Sequence, residues 1–239
     1  MTAPSLDRIK IFADGASLPS MLESAKDPRI RGFTTNPTLM RKAGISDYRA
    51  FAKEALAAIR DKPISFEVFA DDFPEMRRQA LDIATWGDNV YVKIPITTTR
   101  RESATELVNE LSHAGVKLNV TAICTLEQVA QTARALAGGA PSVVSVFAGR
   151  IADTGRDPIP LMTQALATCR AADRNIELLW ASPREVLNII QAAEVGCDII
   201  TVTSDLLKKM ELFGKDLGDF SLETVEMFYR DATGAGYVL

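Results

Sequence analysis

Lys93 is the residue of this chain whose type and setting most invite chemistry. It sits in the run Asn89-Val90-Tyr91-Val92-Lys93-Ile94-Pro95, where valines, an isoleucine and a tyrosine spell a short strand that a proline ends. Alternation puts Tyr91, Lys93 and Pro95 on one face and Val90, Val92 and Ile94 on the other. A lysine inside such a run must pair its ammonium, reach water, or lose its charge through a lowered pKa. Its neutral amine is the form that attacks a carbonyl to give a Schiff base. The competing reading is a lysine on a solvent-facing strand edge.

Polar residues stand at similar places along the chain. They are Asp14, Asn36, Glu67, Asn119, Thr121, Ser145 and Ser182, each at or just beyond the end of a predicted strand. Asn119 and Thr121 are two apart and face the same way, as do Ser145 and Phe147. Singly, each has a plain reading. Asp14 could cap a helix, Asn36-Pro37 could be turn chemistry, Glu67 could be a paired buried charge, and Thr121 could pack its methyl group. Burying each without a partner costs about 1–3 kcal/mol, so their convergence is expected only where a polar ligand is handled.

The elements that must position them alternate. Strands are predicted at 8–14, 31–36, 63–69, 89–95, 116–123, 142–147, 176–181 and 197–202. Helical pieces follow from a start at 17–19 and at 39–43, 48–60, 73–86, 103–113, 126–136, 159–172, 183–195 and 206–213, with a loop through Gly149-Arg150 after strand six. Strict alternation implies parallel strands with right-handed crossovers. Eight such units in about 200–250 residues predict one closed (β/α)8 TIM barrel, whose site lies at the C-terminal strand ends. A doubly wound open sheet would want a Gly-rich phosphate turn, and Asp14-Gly15-Ala16-Ser17 lacks that spacing. A further helix, near 222–230 within a segment of about 221–239, caps the barrel or reaches a neighbouring subunit. The whole chain, 1–239, reads as a single domain.

Composition narrows the function. The 239 residues are 47% hydrophobic and 24% charged, enough for a sizeable core, and the net charge of −4 does not suggest nucleic acid or an anionic membrane as partner. Cys124, Cys169 and Cys197 are odd in number and unpaired in spacing, which fits reduced thiols in a cytoplasmic protein. Cys124 reads as a small apolar filler near the mouth. The single histidine, His113, leaves no His-rich metal site; its place at a helix end suits the helix dipole. Residues 1–8 are polar with no signal-peptide core, and no apolar run approaches the ~18 residues that span a bilayer.

Four segments carry a resemblance. Gly32-Phe33-Thr34-Thr35-Asn36-Pro37-Thr38, Val90-Tyr91-Val92-Lys93-Ile94-Pro95, Leu118-Asn119-Val120-Thr121-Ala122-Ile123 and Val144-Ser145-Val146-Phe147-Ala148-Gly149-Arg150-Ile151 are similar to signature segments of the transaldolase family. The similarity runs in order over about 9–213, and the small-subunit group that includes fructose-6-phosphate aldolases is nearest in length. The resemblance implies Schiff-base aldol chemistry on sugar phosphates, with no cofactor and no metal. The family's imine-forming lysine falls on Lys93 and its acid/base aspartate on Asp14. The asparagines that hold the hydroxyls of a three-carbon unit fall on Asn36 and Asn119. The pair that positions a catalytic water falls on Glu67 and Thr121. A sugar contact falls on Ser145, and the phosphate ligands on Arg150, Ser182 and Arg184. Arg suits phosphate because its fork binds two oxygens. Ser182 and Arg184 are also expected at the start of the seventh helix, where N–H groups point at an anion. The plain reading of Arg184 is a surface arginine.

The resemblance also bears on the reaction. Glutamate at the third-strand position (Glu67) and phenylalanine at the sixth (Phe147) go with transaldolases; glutamine and tyrosine there go with aldolases that release free dihydroxyacetone. The expected function is therefore transfer of a dihydroxyacetone unit from fructose 6-phosphate or sedoheptulose 7-phosphate to an aldose phosphate, in the pentose phosphate pathway, by a homo-oligomer. The alternatives are a fructose-6-phosphate aldolase and a non-catalytic sugar-phosphate-binding barrel. Two departures bear on the sugar rather than the lysine. Asp14-Gly15-Ala16-Ser17 lacks the family's Asn or Asp after the aspartate, and Ile96-Thr97-Thr98-Thr99-Arg100-Arg101-Glu102 replaces the usual loop after the lysine strand. Arg100 and Arg101 either meet a second anionic group or form a solvated helix start.

Overall fold

Eight parallel strands close into a barrel in sequence order, β8 returning to β1, in a computed structural model that describes residues 6–238. The strands are β1 Lys10–Asp14, β2 Ile30–Thr34, β3 Ile64–Glu67, β4 Val90–Pro95, β5 Leu118–Ile123, β6 Ser142–Val146, β7 Ile176–Trp180 and β8 Ile199–Thr203. The architecture is the TIM barrel that the alternation predicts. The N-terminal stretch read as polar lies partly outside the described residues.

Helices wrap the strands. They are α1 Leu18–Lys26, α2 Pro37–Lys42, α3 Tyr48–Ala58, α4 Phe73–Ala84, α5 Thr105–His113, α6 Leu126–Leu136, α7 Ala148–Ala152, α8 Ile159–Ala172, α9 Leu187–Val195, α10 Ser204–Lys209 and α11 Leu217–Ala235. Several begin on side-chain caps. Asn36, Asp47, Asp72 and Thr125 each accept a backbone N–H of the first turn, satisfying donors the helix leaves orphaned. None of the described helices is long and apolar enough to cross a membrane.

Two apolar layers result. The outward faces of the strands pack against the helices in one large cluster that includes Phe33, Phe66, Val92, Ile94, Leu118 and Trp180. Inside the barrel a smaller cluster of Phe12, Val143, Leu179, Ala181 and Ile199 forms a plug, with Tyr91 and Phe147 against it. With both faces buried, Lys93 is enclosed and not on a solvent-facing edge. It keeps only 6% of its surface.

The structure departs from sequence expectation in four places. A short helix, α7, stands where a loop was expected, and Gly149 and Arg150 lie in it. The seventh crossover helix starts at Leu187 instead of 183, because Asn188 Oδ1 captures the N–H groups of Arg184 and Glu185 at 2.7 and 3.2 Å. The last helix is longer than expected. Asp216 caps its start through Gly218 N and Asp219 N, and Gly236, at φ 67°, ends it. None of its described residues is buried; Leu217, Leu222, Val225, Phe228 and Tyr229 are all exposed. Arg100 and Arg101 lie in a turn closed by the antiparallel Thr97–Ser103 bridge, before α5 begins, so neither is a helix start. Arg100 pairs with Glu102 at 3.0 Å.

Gly32 is dictated by the plug. It pairs in register with Phe12, and a Cβ there would stand 2.6 Å from Phe12 Cζ. In an open strand, Gly→Ala recovers about 0.5–1 kcal/mol of backbone entropy. Here overpacking, at about 1–3 kcal/mol, outweighs it. Gly32→Ala should therefore lower the melting temperature, and Phe12→Leu in the same chain should restore part of the loss. A Gly32→Ala chain as stable as the wild type would show that the plug yields freely.

Candidate active site

The polar strand ends meet at the C-terminal mouth of the barrel. There a cleft of about 370 Å³ is lined by Asp14, Asn36, Glu67, Lys93, Asn119, Thr121, Ser145, Phe147, Arg150 and Ser182, together with Thr34 and Thr201. The sequence-expected residues converge, Arg184 excepted.

Register explains the centre. Glu67 on β3, Lys93 on β4 and Asn119 on β5 are successive neighbours in the ladder. Lys93 Nζ donates to the Thr35 carbonyl at 2.8 Å and stands 3.1 Å from Glu67 Oε2. Of the three ways out for a buried ammonium, the structure shows a partner. The pair is nearly shut off from water: the side chains keep 8% and 17% of their surface. Removing one partner of such a pair leaves an uncompensated buried charge, which costs about 3–5 kcal/mol.

Asp14 faces this pair from β1. Its Oδ1 accepts the Thr34 hydroxyl at 2.7 Å, and Thr34 is 2.5 Å from the Thr201 hydroxyl. Thr34 has one proton and gives it to the carboxylate, so Thr201 donates to Thr34, and a relay runs from β8 through β2 to β1. Enclosure raises the Asp14 carboxyl above its ordinary value. The Lys93 ammonium and the Thr34 hydroxyl pull it down and only partly offset the burial.

The far wall is equally ordered. Ser145 Oγ donates to Asn119 Oδ1 at 2.7 Å, and Asn119 Nδ2 donates to Ser65 Oγ at 3.1 Å, which fixes the orientation of the amide. Thr121 lines the cleft with a buried hydroxyl that meets no hydrogen-bond partner among the described residues. Asn36 Oδ1 caps α2 through Leu39 N at 2.9 Å, and the side chain lies beside the Asp14 carboxylate, whose charged form it favours. Cys124 is half-buried, and burial raises its thiol, which disfavours the thiolate a nucleophile needs.

At one side of the mouth the backbone supplies a cationic corner. Gly149 in α7 comes so close to the chain after β7 that a Cβ would stand 1.6 Å from the Ser182 carbonyl oxygen, so only glycine fits. Ser182 itself has φ 61°, a left-handed conformation costly for serine. Both constraints bring Ser182 beside Arg150, whose guanidinium lies 5.8 Å from the Phe147 ring and is not in an ion pair among the described residues. Arg184 differs. It forks onto Asp153, its Nε reaching Oδ1 at 2.9 Å, and its backbone N–H is taken by Asn188. The expected helix-start N–H groups therefore do not point into the cleft.

Sequence reasoning passed over Thr34, Ser65 and Thr201 as site residues. Alternation would have found the first two, since each stands two residues before an expected site residue, Asn36 and Glu67. Thr201 is the polar contribution of strand eight, the one strand that had offered none.

The chain is similar to proteins of related chemistry. The profile of the transaldolase/fructose-6-phosphate aldolase family matches residues 11–236. A probable transaldolase of Dehalococcoides mccartyi is 36% identical over 202 residues, covering 84% of this chain and 90% of that one. One from Methanococcus maripaludis strain C7 is 36% identical over 215 residues, covering 90% and 94%. One from Thermoanaerobacter sp. strain X514 is 34% identical over 224 residues, covering 94% and 98%. Among solved structures, an HpcH/Hpal aldolase/citrate lyase family protein from Burkholderia cenocepacia superposes with TM-score 0.61 at 15% identity, covering 92% and 95% of the two chains, a likeness of fold alone. With the profile spanning nearly all of a barrel whose cleft gathers Asp14, Glu67, Lys93 and Thr121, the chain belongs to the transaldolase/fructose-6-phosphate aldolase family.

Proposed function

We propose that the protein is a transaldolase that moves a dihydroxyacetone unit between sugar phosphates through a Schiff base on Lys93. One observation carries the reading: a lysine buried at the base of a polar cleft, within 3.1 Å of a carboxylate that can take its proton. The Lys93 amine adds to the ketose C2 carbonyl, and water leaves as the imine forms. Glu67 moves the protons of that step through a water held at the free Thr121 hydroxyl. Asp14 takes the proton of the C4 hydroxyl as the C3–C4 bond breaks, releasing an aldose phosphate and leaving an enamine on Lys93. An acceptor aldehyde then takes the C3 carbon, Asp14 returns the proton, and hydrolysis frees the new ketose. The raised Asp14 carboxyl suits a group that must both accept and give a proton.

Asn36, Asn119 and Ser145 suit the hydroxyls of the three-carbon unit. Arg150 and Ser182 suit the phosphate, which supports fructose 6-phosphate or sedoheptulose 7-phosphate as donor. Arg184 joins them only by loosening its fork on Asp153. The exposed apolar side chains of α11 support a homo-oligomer, since an unpartnered row of that kind gains by burial against another copy.

Transfer is favoured over release of free dihydroxyacetone by Phe147, which lines the cleft with no hydroxyl to hold a water against the enamine. Fructose 6-phosphate should be cleaved slowly alone and at least about tenfold faster with erythrose 4-phosphate, and Phe147→Tyr should raise release of free dihydroxyacetone. Equal rates with and without acceptor would replace transfer by the aldolase reading.

The same chemistry has a cost in stability. A carboxyl raised on folding contributes stability that is fully present below its unfolded value of 3.8 and lost as pH rises through the folded value. Asp14→Asn should therefore abolish turnover yet melt higher than the wild type at pH 7, each ~1 kcal/mol of relieved burial being worth about 2–4 °C. The gap should close as pH falls towards 3.8. A lower melting temperature at pH 7 would show that the carboxylate supports the fold.

A further inference from the structure

We infer that Tyr48, at the start of α3, is a positioning residue for the Lys93–Glu67 pair, an inference that rests on the Schiff-base reading above. The ladder between β2 and β3 shows why one is required. Thr35 N donates to the Ser65 carbonyl at 3.1 Å. In a continued parallel ladder, the next bond would run from Glu67 N–H to the Thr35 carbonyl. That bond is replaced. The Thr35 carbonyl accepts Lys93 Nζ instead, at 2.8 Å. Glu67 N–H then donates to the Tyr48 hydroxyl at 2.7 Å, and the same hydroxyl is 3.1 Å from the Glu67 carbonyl, to which it donates. One phenol thus stands in for a strand residue. It frees a backbone carbonyl to face the lysine and holds both backbone groups of the residue that bears the facing carboxylate. The Thr35 hydroxyl donates to the Ser65 carbonyl at 2.9 Å, which holds the other residue that flanks the ammonium.

The phenol is rigidly held. Its ring centroid lies 4.6 Å from Phe69, 5.5 Å from Trp86 and 6.0 Å from Phe66. Asp47 caps the helix that carries it, accepting Ala50 N at 2.9 Å. Burial raises the hydroxyl well above the ordinary phenol range, so it stays a donor across the working pH. Gln79 Oε1 accepts Phe69 N and Ala70 N at 2.8 and 3.1 Å, anchoring the chain just after Glu67. Tyr48 does not line the cleft. It acts through where Glu67 and Thr35 stand.

Tyr48→Phe keeps the rings and removes the hydroxyl. Misplacing a reacting group by about 1 Å can cost ~100-fold, so kcat on the ketose phosphate with acceptor should fall about tenfold or more. KM should stay within about twofold, since the sugar and phosphate ligands come from other strands. The rate at which borohydride-reducible adduct forms on Lys93 should fall with kcat. In a Glu67→Gln chain the same substitution should add less than about twofold, because the group it positions is gone. Phe69→Ala is the packing control, removing a ring neighbour and no side-chain hydrogen bond; it should lower the melting temperature and keep kcat within about twofold. If the wild type forms adduct and Tyr48→Phe forms it equally fast, the inference is wrong and the lysine reading stands. Equal kcat losses in Tyr48→Phe and Phe69→Ala, or an undiminished loss in the Glu67→Gln chain, would also overturn it. A wild type that forms no adduct would overturn the lysine reading, and this inference with it.

Discussion

An ammonium and a carboxylate 3.1 Å apart, almost out of reach of water, set the terms for the rest of this structure. The charged pair cannot be relaxed away: losing either partner strands the other in a medium that solvates it poorly. The barrel meets that constraint with backbone. The β2–β3 ladder stops one bond early, the Thr35 carbonyl turns to the ammonium, and a tyrosine from α3 repairs the gap. The lysine is therefore held by three strands and a helix, while its Nζ still faces a cleft.

The other side chains at the mouth divide by what they are free to do. Thr34, Thr201 and Ser65 are taken up by neighbouring side chains, and their hydrogen bonds fix where Asp14 and Asn119 point. Thr121 and Arg150 are uncommitted among the described residues: a buried hydroxyl without a hydrogen-bond partner and an exposed guanidinium outside any ion pair. The contrast marks scaffold from ligand-facing groups more sharply than residue type does. Strain is concentrated at the same mouth. Ser182 takes a left-handed conformation, and Gly149 allows a backbone approach that no side chain would permit.

Much of this was legible in the sequence, for physical reasons. Lys93 stood out because a charge in an apolar strand needs an explanation, and Asp14, Asn36, Glu67 and Asn119 because polar groups at strand ends of a barrel share one mouth. The limits of α6 fell at 126–136 as predicted, and the structure shows Thr125 capping its start. Where the reading failed, a side chain had captured backbone. Pro183 looks like a helix start, but Asn188 takes the N–H groups that would open it. Gly218 and Gly234 look like breaks in the last helix, whereas Asp216 and Gly236 set its limits. Arg184 matches the family pattern in type, yet Asp153, distant in sequence, holds its fork. Tyr48 was invisible, since nothing local records that a phenol completes another element's ladder.

The claim on which everything else turns is that Lys93 is the amine that joins the sugar. Its direct measurement is peptide mass mapping after incubation with fructose 6-phosphate and borohydride. The peptide bearing Lys93 should gain the mass of a reduced dihydroxyacetone or hexose phosphate unit, and Lys93→Met should gain none. Adduct on another lysine, or labelling that survives Lys93→Met, would contradict the account.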